Sequence, residues 1–126
     1  MADTKHSIDV EARVQYLPDQ SDLDAKRYVF AYTITITNTG TVAAQLVSRH
    51  WIITDSNNVV QEVRGDGVVG EQPTLKPRQS FTYTSGTYIA TPVGTMRGSY
   101  HMVAEDGEEF DAAIPEFALV MPGRLH

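Results

Sequence analysis

A chain of 126 residues has room for one domain and one core, with about two-thirds of its unfolded surface buried. Its 41% hydrophobic residues are globular in character, while 16 acidic side chains against 10 basic ones give a net charge of -6. That balance disfavours nucleic acid and anionic membrane partners, both of which reward cations. The absence of cysteine excludes disulfides, thiolate metal sites and a cysteine nucleophile.

The first residues, Met1 to His6, have no apolar run and predict no signal peptide. No later stretch approaches the roughly 18 apolar residues of a membrane span, so a cytoplasmic protein is the simplest expectation. From Ile8, apolar side chains recur at Val10, Ala12, Val14 and Tyr16, the period of a strand with one face in the core. Residues 17–26, with Pro18 and three aspartates, predict a loop. Tyr28, Phe30, Tyr32, Ile34 and Ile36 then share one face of a second strand, with Thr33, Thr35 and Thr37 on the other. Asn38-Thr39-Gly40 supplies a turn.

Residues 42–54 are apolar on both sides, with Leu46, His50 and Ile52 facing one way and Val47, Trp51 and Ile53 the other. This predicts a central strand with a bulge near Ser48. A turn at 55–58 leads to a short strand over 59–64, and residues 65–78 form the longest irregular stretch. Strand character returns over 80–89 through Phe81 and Tyr83. It returns again over 96–104, where Met96, Gly98, Tyr100, Met102 and Ala104 alternate with Arg97, Ser99, His101 and Val103. Asp106-Gly107 predicts a two-residue hairpin turn. The last strand, over about 109–120, contains Pro115, whose missing N–H predicts an edge position or a bulge. About seven strands without crossover helices predict an all-β immunoglobulin or fibronectin type III-like antiparallel sandwich. The whole chain, 1–126, is expected to form that single domain, with a core over roughly 5–120.

Several letter patterns invite a chemical reading. Gly65, Gly67 and Gly70 spell GxGxxG, with Arg64 as an adjacent cation. In a dinucleotide site such glycines lead into a helix whose N-terminal amides hold the pyrophosphate. Here Pro73 and Pro77 follow, so no helix is expected, although a glycine loop can still cradle an anion in a nest of amides. Arg97 is a second cation available to such a ligand. Arg64-Gly65-Asp66 also spells an integrin-binding tripeptide, which is read as coincidence because no export signal is expected. The acidic run Glu105, Asp106, Glu108, Glu109 and Asp111 could draw a hard cation, but it lacks ligand-spaced order and reads as a solvated hairpin. His6, His50, His101 and His126 form no paired metal motif, and Ser48 and Ser85 lie in no nucleophile elbow. Val68, Val69 and Leu75 are apolar residues of a loop. They read equally as contacts for a protein partner and as side chains folded back over the sandwich end.

Several blocks together resemble the ApaG family. They are Tyr28-Val-Phe-Ala-Tyr32, Gln45-Leu46 with Ser48-Arg49-His50-Trp51, the run from Val63 to Pro73, Phe81-Thr-Tyr-Thr-Ser-Gly86, Thr91-Pro92, Gly98-Ser-Tyr100 with Met102, and Ile114-Pro-Glu-Phe117. The similarity extends over roughly residues 5–120. Arg78 departs from it, standing where a glycine is common. The resemblance implies a fibronectin type III-like fold in a small bacterial cytosolic protein associated with cobalt resistance and magnesium efflux. The family's gene often neighbours that of a diadenosine tetraphosphate hydrolase. Related domains in eukaryotic F-box and polymerase-interacting proteins resemble interaction modules. The family's glycine loop, likened to a pyrophosphate-binding motif, maps onto Gly65, Gly67 and Gly70, and no catalytic residue carries over.

The expected function is a non-enzymatic binding module, monomeric or weakly dimeric, with no cofactor, no catalytic residue and no metal ligand. An unidentified protein partner is expected at Val68, Val69 and Leu75. The alternatives are a nucleotide pyrophosphate or other anion at Arg64, Gly65, Gly67 and Gly70, or a divalent cation at the acidic hairpin.

Overall fold

The computed structural model describes residues 4–123; His126 and the first three residues of the stretch read for a signal peptide lie outside them. Eight antiparallel strands are present: β1 (Ile8–Tyr16), β2 (Tyr28–Asn38), β3 (Ala44–Asp55), β4 (Val60–Asp66), β5 (Thr74–Leu75), β6 (Ser80–Ile89), β7 (Val93–Ala104) and β8 (Glu109–Val120). A 3-10 turn, Pro18–Gln20, interrupts the loop before β2. One sheet runs β1-β2-β6 and the other β4-β3-β7-β8, with β5 also paired to β3. The sandwich expected from alternation is the fold observed. It has eight strands because a two-residue strand lies inside the stretch read as irregular, and β4 runs on to Asp66.

The inward face of β2 is the one expected: Phe30, Ile34 and Ile36 are fully buried and Tyr32 nearly so. Burying a side chain of this size contributes about 1.5–3 kcal/mol. In β3 the face changes partway. Leu46 pairs with Met102 and Ser48 with His101, which leaves Val47 as an extra residue. A bulge of this kind shifts the two-residue period by one. Leu46 is therefore inward before it, and Trp51 and Ile53 are inward after it. The same device operates in β8, where Met96 pairs with Phe117 and Gly98 with Ile114, so that Arg97 faces both Pro115 and Glu116. Pro115 thus sits at a bulge and on an edge strand at once, where the N–H it lacks is not required.

The β7–β8 hairpin differs from its expected form. The Gly107 amide donates to the Ala104 carbonyl and the Ala104 amide to the Glu108 carbonyl, which makes a three-residue loop with Gly107 at φ 86°. A glycine in that conformation after a type I turn adds one residue to the tight connection. At one end of the sandwich, Asn38 is buried with its polar side chain satisfied. Its Nδ2 donates to the carbonyls of Val42 and Leu75, both at 2.9 Å, and its Oδ1 accepts from the Gly40 amide at 2.8 Å. This pins the crossing from β2 to β3 onto β5.

Candidate functional site

β4 and β5 follow one another along a single edge of β3, because β7 occupies the other edge throughout. The glycine-rich segment is the detour between them, opposite the β3 bulge. The Gly67 amide donates to the carbonyl of the bulged Val47 at 2.8 Å, and the Gln72 side chain donates to the same oxygen at 2.9 Å. Val68 and Glu71 exchange main-chain bonds at 2.8 and 2.9 Å across a tight turn with Val69 at φ 44° and Gly70 at φ 80°. No helix follows Gly70; the chain enters β5. The amides of Gly67, Val68 and Glu71 are engaged by main-chain carbonyls and form no nest for an anion.

Each glycine of the motif has a local reason. A Cβ on Gly67 would lie 2.2 Å from the Glu71 carbonyl oxygen, and one on Gly65 would lie 2.8 Å from the guanidinium carbon of Arg49. Gly70 takes the second positive-φ position of the turn, a conformation in which glycine alone carries no steric cost. Arg64 is exposed, opposite His50 in the β3–β4 pairing, with the Glu62 carboxylate 3.8 Å away.

The partner residues expected in this loop divide. Val68 is 0% and Leu75 2% exposed, so both belong to the core, whereas Val69 is 56% exposed. The correction follows from the turn itself, in which Val68 is the buried base position and Val69 the exposed tip position. Val69 is also strained, since a β-branched residue at positive φ is a genuine outlier. Val59, Val60 and Val63 are exposed as well, on β4 and the turn before it.

Behind β4 the two sheets leave a cleft of about 200 Å³ lined by Tyr32, Arg49, Trp51, Ile53, Val63, Ser85, Gly86 and Thr87. Trp51 is packed edge-on against Tyr32, Tyr100 and Phe117 at 5.3–6.3 Å between centroids. It is 2% exposed, and its indole Nε1 is buried without a hydrogen-bond partner among the described residues. Leaving such a donor unpaired costs about 1–3 kcal/mol. Arg49 is half-buried, and its Nη1 donates to the carbonyls of Asp66 and Gly67 at 3.0 and 2.9 Å. Deeper in, the hydroxyls of Tyr83 and Tyr100 bond to each other. Burial pushes both phenols well above the ordinary tyrosine range, so they remain neutral.

Arg49 and Trp51 are site residues that the alternation alone did not single out. The signal that could have found them is the bulge, which turns 49, 51 and 53 inward together.

The outward face of the larger sheet carries a groove of about 530 Å³ whose lining includes Ser48, His50, Arg64, Ser99, His101 and Asp111. Its histidines are already held. His50 Nε2 meets Glu62 Oε1 at 2.8 Å, while His101 meets Asp111 through Nδ1 at 2.9 Å and Glu109 through Nε2 at 2.8 Å. The hydrogen bonds that its ring donates to Asp111 and then Glu109 raise the His101 pKa above its ordinary value. Arg97 is exposed on the same strand, opposite Ile52.

In the acidic hairpin, Asp106 is held by Lys5 at 3.0 Å and His6 at 2.9 Å and accepts the Glu108 amide at 3.1 Å. The Lys5 ammonium, that amide and His6 hold its carboxyl well below the usual range. Three of the five carboxylates, Asp106, Glu109 and Asp111, thus have internal partners. Among the described residues no group of three histidine, aspartate or glutamate side chains is arranged to hold a metal. No helix of the described residues is long and apolar enough to cross a membrane.

A family model described as the ApaG domain matches residues 18–104, from the loop before β2 to the end of β7. The protein ApaG of Thiobacillus denitrificans is 65% identical over 122 residues, covering 97% of this chain and 96% of the relative. That of Nitrosomonas europaea is 66% identical over the same length, with the same coverage. A crystal structure from Bordetella pertussis, of a protein called ApaA there, superimposes with a TM-score of 0.92 at 54% identity and covers 95% of this chain and 98% of its own. Residues 18–104 and the sandwich built around them therefore place the chain in the ApaG family.

Proposed function

We propose that the chain is a non-enzymatic binding module that receives a protein partner along the β4 edge. The observation that carries this reading is the placement of exposed apolar side chains. Of six large hydrophobics exposed among the described residues, four are Val59, Val60, Val63 and Val69, all on β4 or the turns flanking it. β4 ends its sheet, so its outer main-chain groups face no neighbouring strand. An edge of this kind is a template for strand addition, with main-chain bonds supplying affinity and alternate side chains supplying selectivity. The strained Val69 fits the same reading, since backbone strain persists where a function holds it.

A hydrolytic role finds less support, because both ring nitrogens of His101 and one of His50 are engaged by carboxylates. The association with cobalt resistance and magnesium efflux that the resemblance implies would then run through the partner.

A photo-reactive residue placed at position 60 tests the reading, with the same residue at position 84 on the other sheet as control. The expected result is a partner crosslinked from 60 and not from 84, whose binding to the purified protein weakens at least about tenfold in Val60→Lys. Equal crosslinking from both positions, crosslinking only to a second copy of the chain, or unchanged affinity in Val60→Lys would overturn it.

A further inference from the structure

We propose that the cleft between the sheets behind β4 is a binding site for a carboxylate carried on a short apolar stem. Its lining residues include Arg49, which carries a guanidinium, Tyr32, Ser85 and Thr87, which carry hydroxyls, and Trp51, whose indole N–H is sealed from solvent beside the space. An indole N–H and a guanidinium can only donate, and no carboxylate lines the space. The hydroxyls can donate or accept, so it is the Arg49 guanidinium that favours a guest with hydrogen-bond acceptors and a negative charge. The indole donor is in an unusual state for a folded protein. The Trp51 N–H is buried without a partner, and Arg49 pairs with no carboxylate among the described residues, although the chain carries 16 acidic side chains.

The guanidinium is also held in place beforehand. Its Nη1 is tied to the carbonyls of Asp66 and Gly67, and its plane rests where a side chain at Gly65 would otherwise be. The glycines of the GxGxxG run thus serve this site indirectly, by positioning Arg49 rather than by meeting a ligand themselves. A fixed, planar fork of donors suits a carboxylate. Ile53 and Val63 add apolar wall beside these donors, which suits an aliphatic stem. At about 200 Å³ the cleft is smaller than the 300–1,000 Å³ typical of drug-sized ligands, so a dinucleotide is excluded by size. A free short-chain carboxylate and a carboxylate of a protein chain present the same chemistry here.

The protein holds one tryptophan, so a ¹H–¹⁵N spectrum carries a single indole N–H resonance, from the side chain that borders the cleft. Titration with butyrate at constant ionic strength is expected to shift that resonance saturably at millimolar concentration, while butyramide leaves it in place. Ser85→Leu fills the cleft from β6, where residue 85 faces inward, and is expected to abolish the shift with the melting temperature little changed. Arg49→Gln is expected to abolish it as well. A short acetylated peptide with a free C-terminus, run against its C-terminal amide, distinguishes the sources. Saturation by the free-acid peptide assigns the site to protein carboxylates, and saturation by butyrate alone assigns it to small acids. A linear shift, an equal response to butyramide, or a response that survives in Ser85→Leu would overturn the proposal. None of these results depends on the partner reading, which is tested at Val60.

Discussion

The glycine turn and the cleft behind β4 lie side by side, share Arg49 as a neighbour, and are opposites in hydrogen bonding. In the turn, the Gly67, Val68 and Glu71 amides each meet a main-chain carbonyl. At the cleft, a buried indole N–H and an arginine guanidinium have, among the described residues, no hydrogen-bond partner and no carboxylate partner respectively. The turn carries the recognisable letters, and the cleft carries the unused donors. Glycines mark places where backbone must come close or turn sharply, and that requirement arises as readily from a bulge as from a phosphate. Capacity for a ligand lies in polar groups that the fold leaves unsatisfied, because the fold has already accounted for the rest.

This contrast breaks most decisively at Gly67. If the glycine serves the turn, Gly67→Ala places a methyl group 2.2 Å from the Glu71 carbonyl at a φ of 60°. The expected loss is more than about 2 kcal/mol of unfolding free energy in urea, since a strained backbone position and a clash combine there. A variant as stable as the parent would show that the residue is glycine for a reason other than folding. It would reopen the anion reading of the loop.

A smaller effect separates the two valines of the turn. Val68→Ser removes a fully buried apolar side chain and introduces a hydroxyl, for an expected cost of about 2 kcal/mol. Val69→Asn changes an exposed residue at positive φ into one that tolerates it, giving the Asn-Gly pair that such turns favour. Stability is expected to hold or to rise by about 0.5 kcal/mol. Equal losses at both positions would mean that the turn does not divide its valines as its geometry states. Because position 69 is also part of the proposed partner surface, a stabilised Val69→Asn that binds more weakly would show the strain being kept for binding.

The fold was legible because period is legible. Ile8 to Tyr16 and Tyr28 to Ile36 alternate without interruption, and two alternating faces with no crossover helices leave few architectures besides a sandwich. Even the bulge near Ser48 shows in the letters, because both faces of residues 42–54 are apolar. What the letters do not carry is the consequence of that bulge. Whether Trp51 and Arg49 face the core or the solvent depends on a one-residue shift, and both phases of that strand are hydrophobic enough to be read inward. The division of Val68 from Val69 was hidden for a similar reason. Adjacent residues of one type are separated only by a turn whose positive φ at Val69 runs against the preference of the residue. Leu75 was hidden because a two-residue strand is too short to show a period.

The smallest expected effect concerns the outward face, where the fold again engages its polar groups. His101 is held by Asp111 and Glu109, and its folded-state pKa lies above the unfolded value of about 6.5. The folded protein therefore binds the proton more tightly. Its stabilising contribution is complete below the unfolded pKa and is lost as pH rises through the folded one. His101→Gln should accordingly be less stable than the parent at a pH below the unfolded histidine value, with the gap closing as pH rises through the folded-state pKa. The side chains are exposed and screened, so the gap at low pH should stay below about 1 kcal/mol. Paired urea titrations below and above that range measure it. A gap that widens with pH instead would mean that the neutral imidazole is the stabilising form. His101 would then have a ring nitrogen to offer a ligand, and the groove would join the cleft on the side of the molecule's unused chemistry.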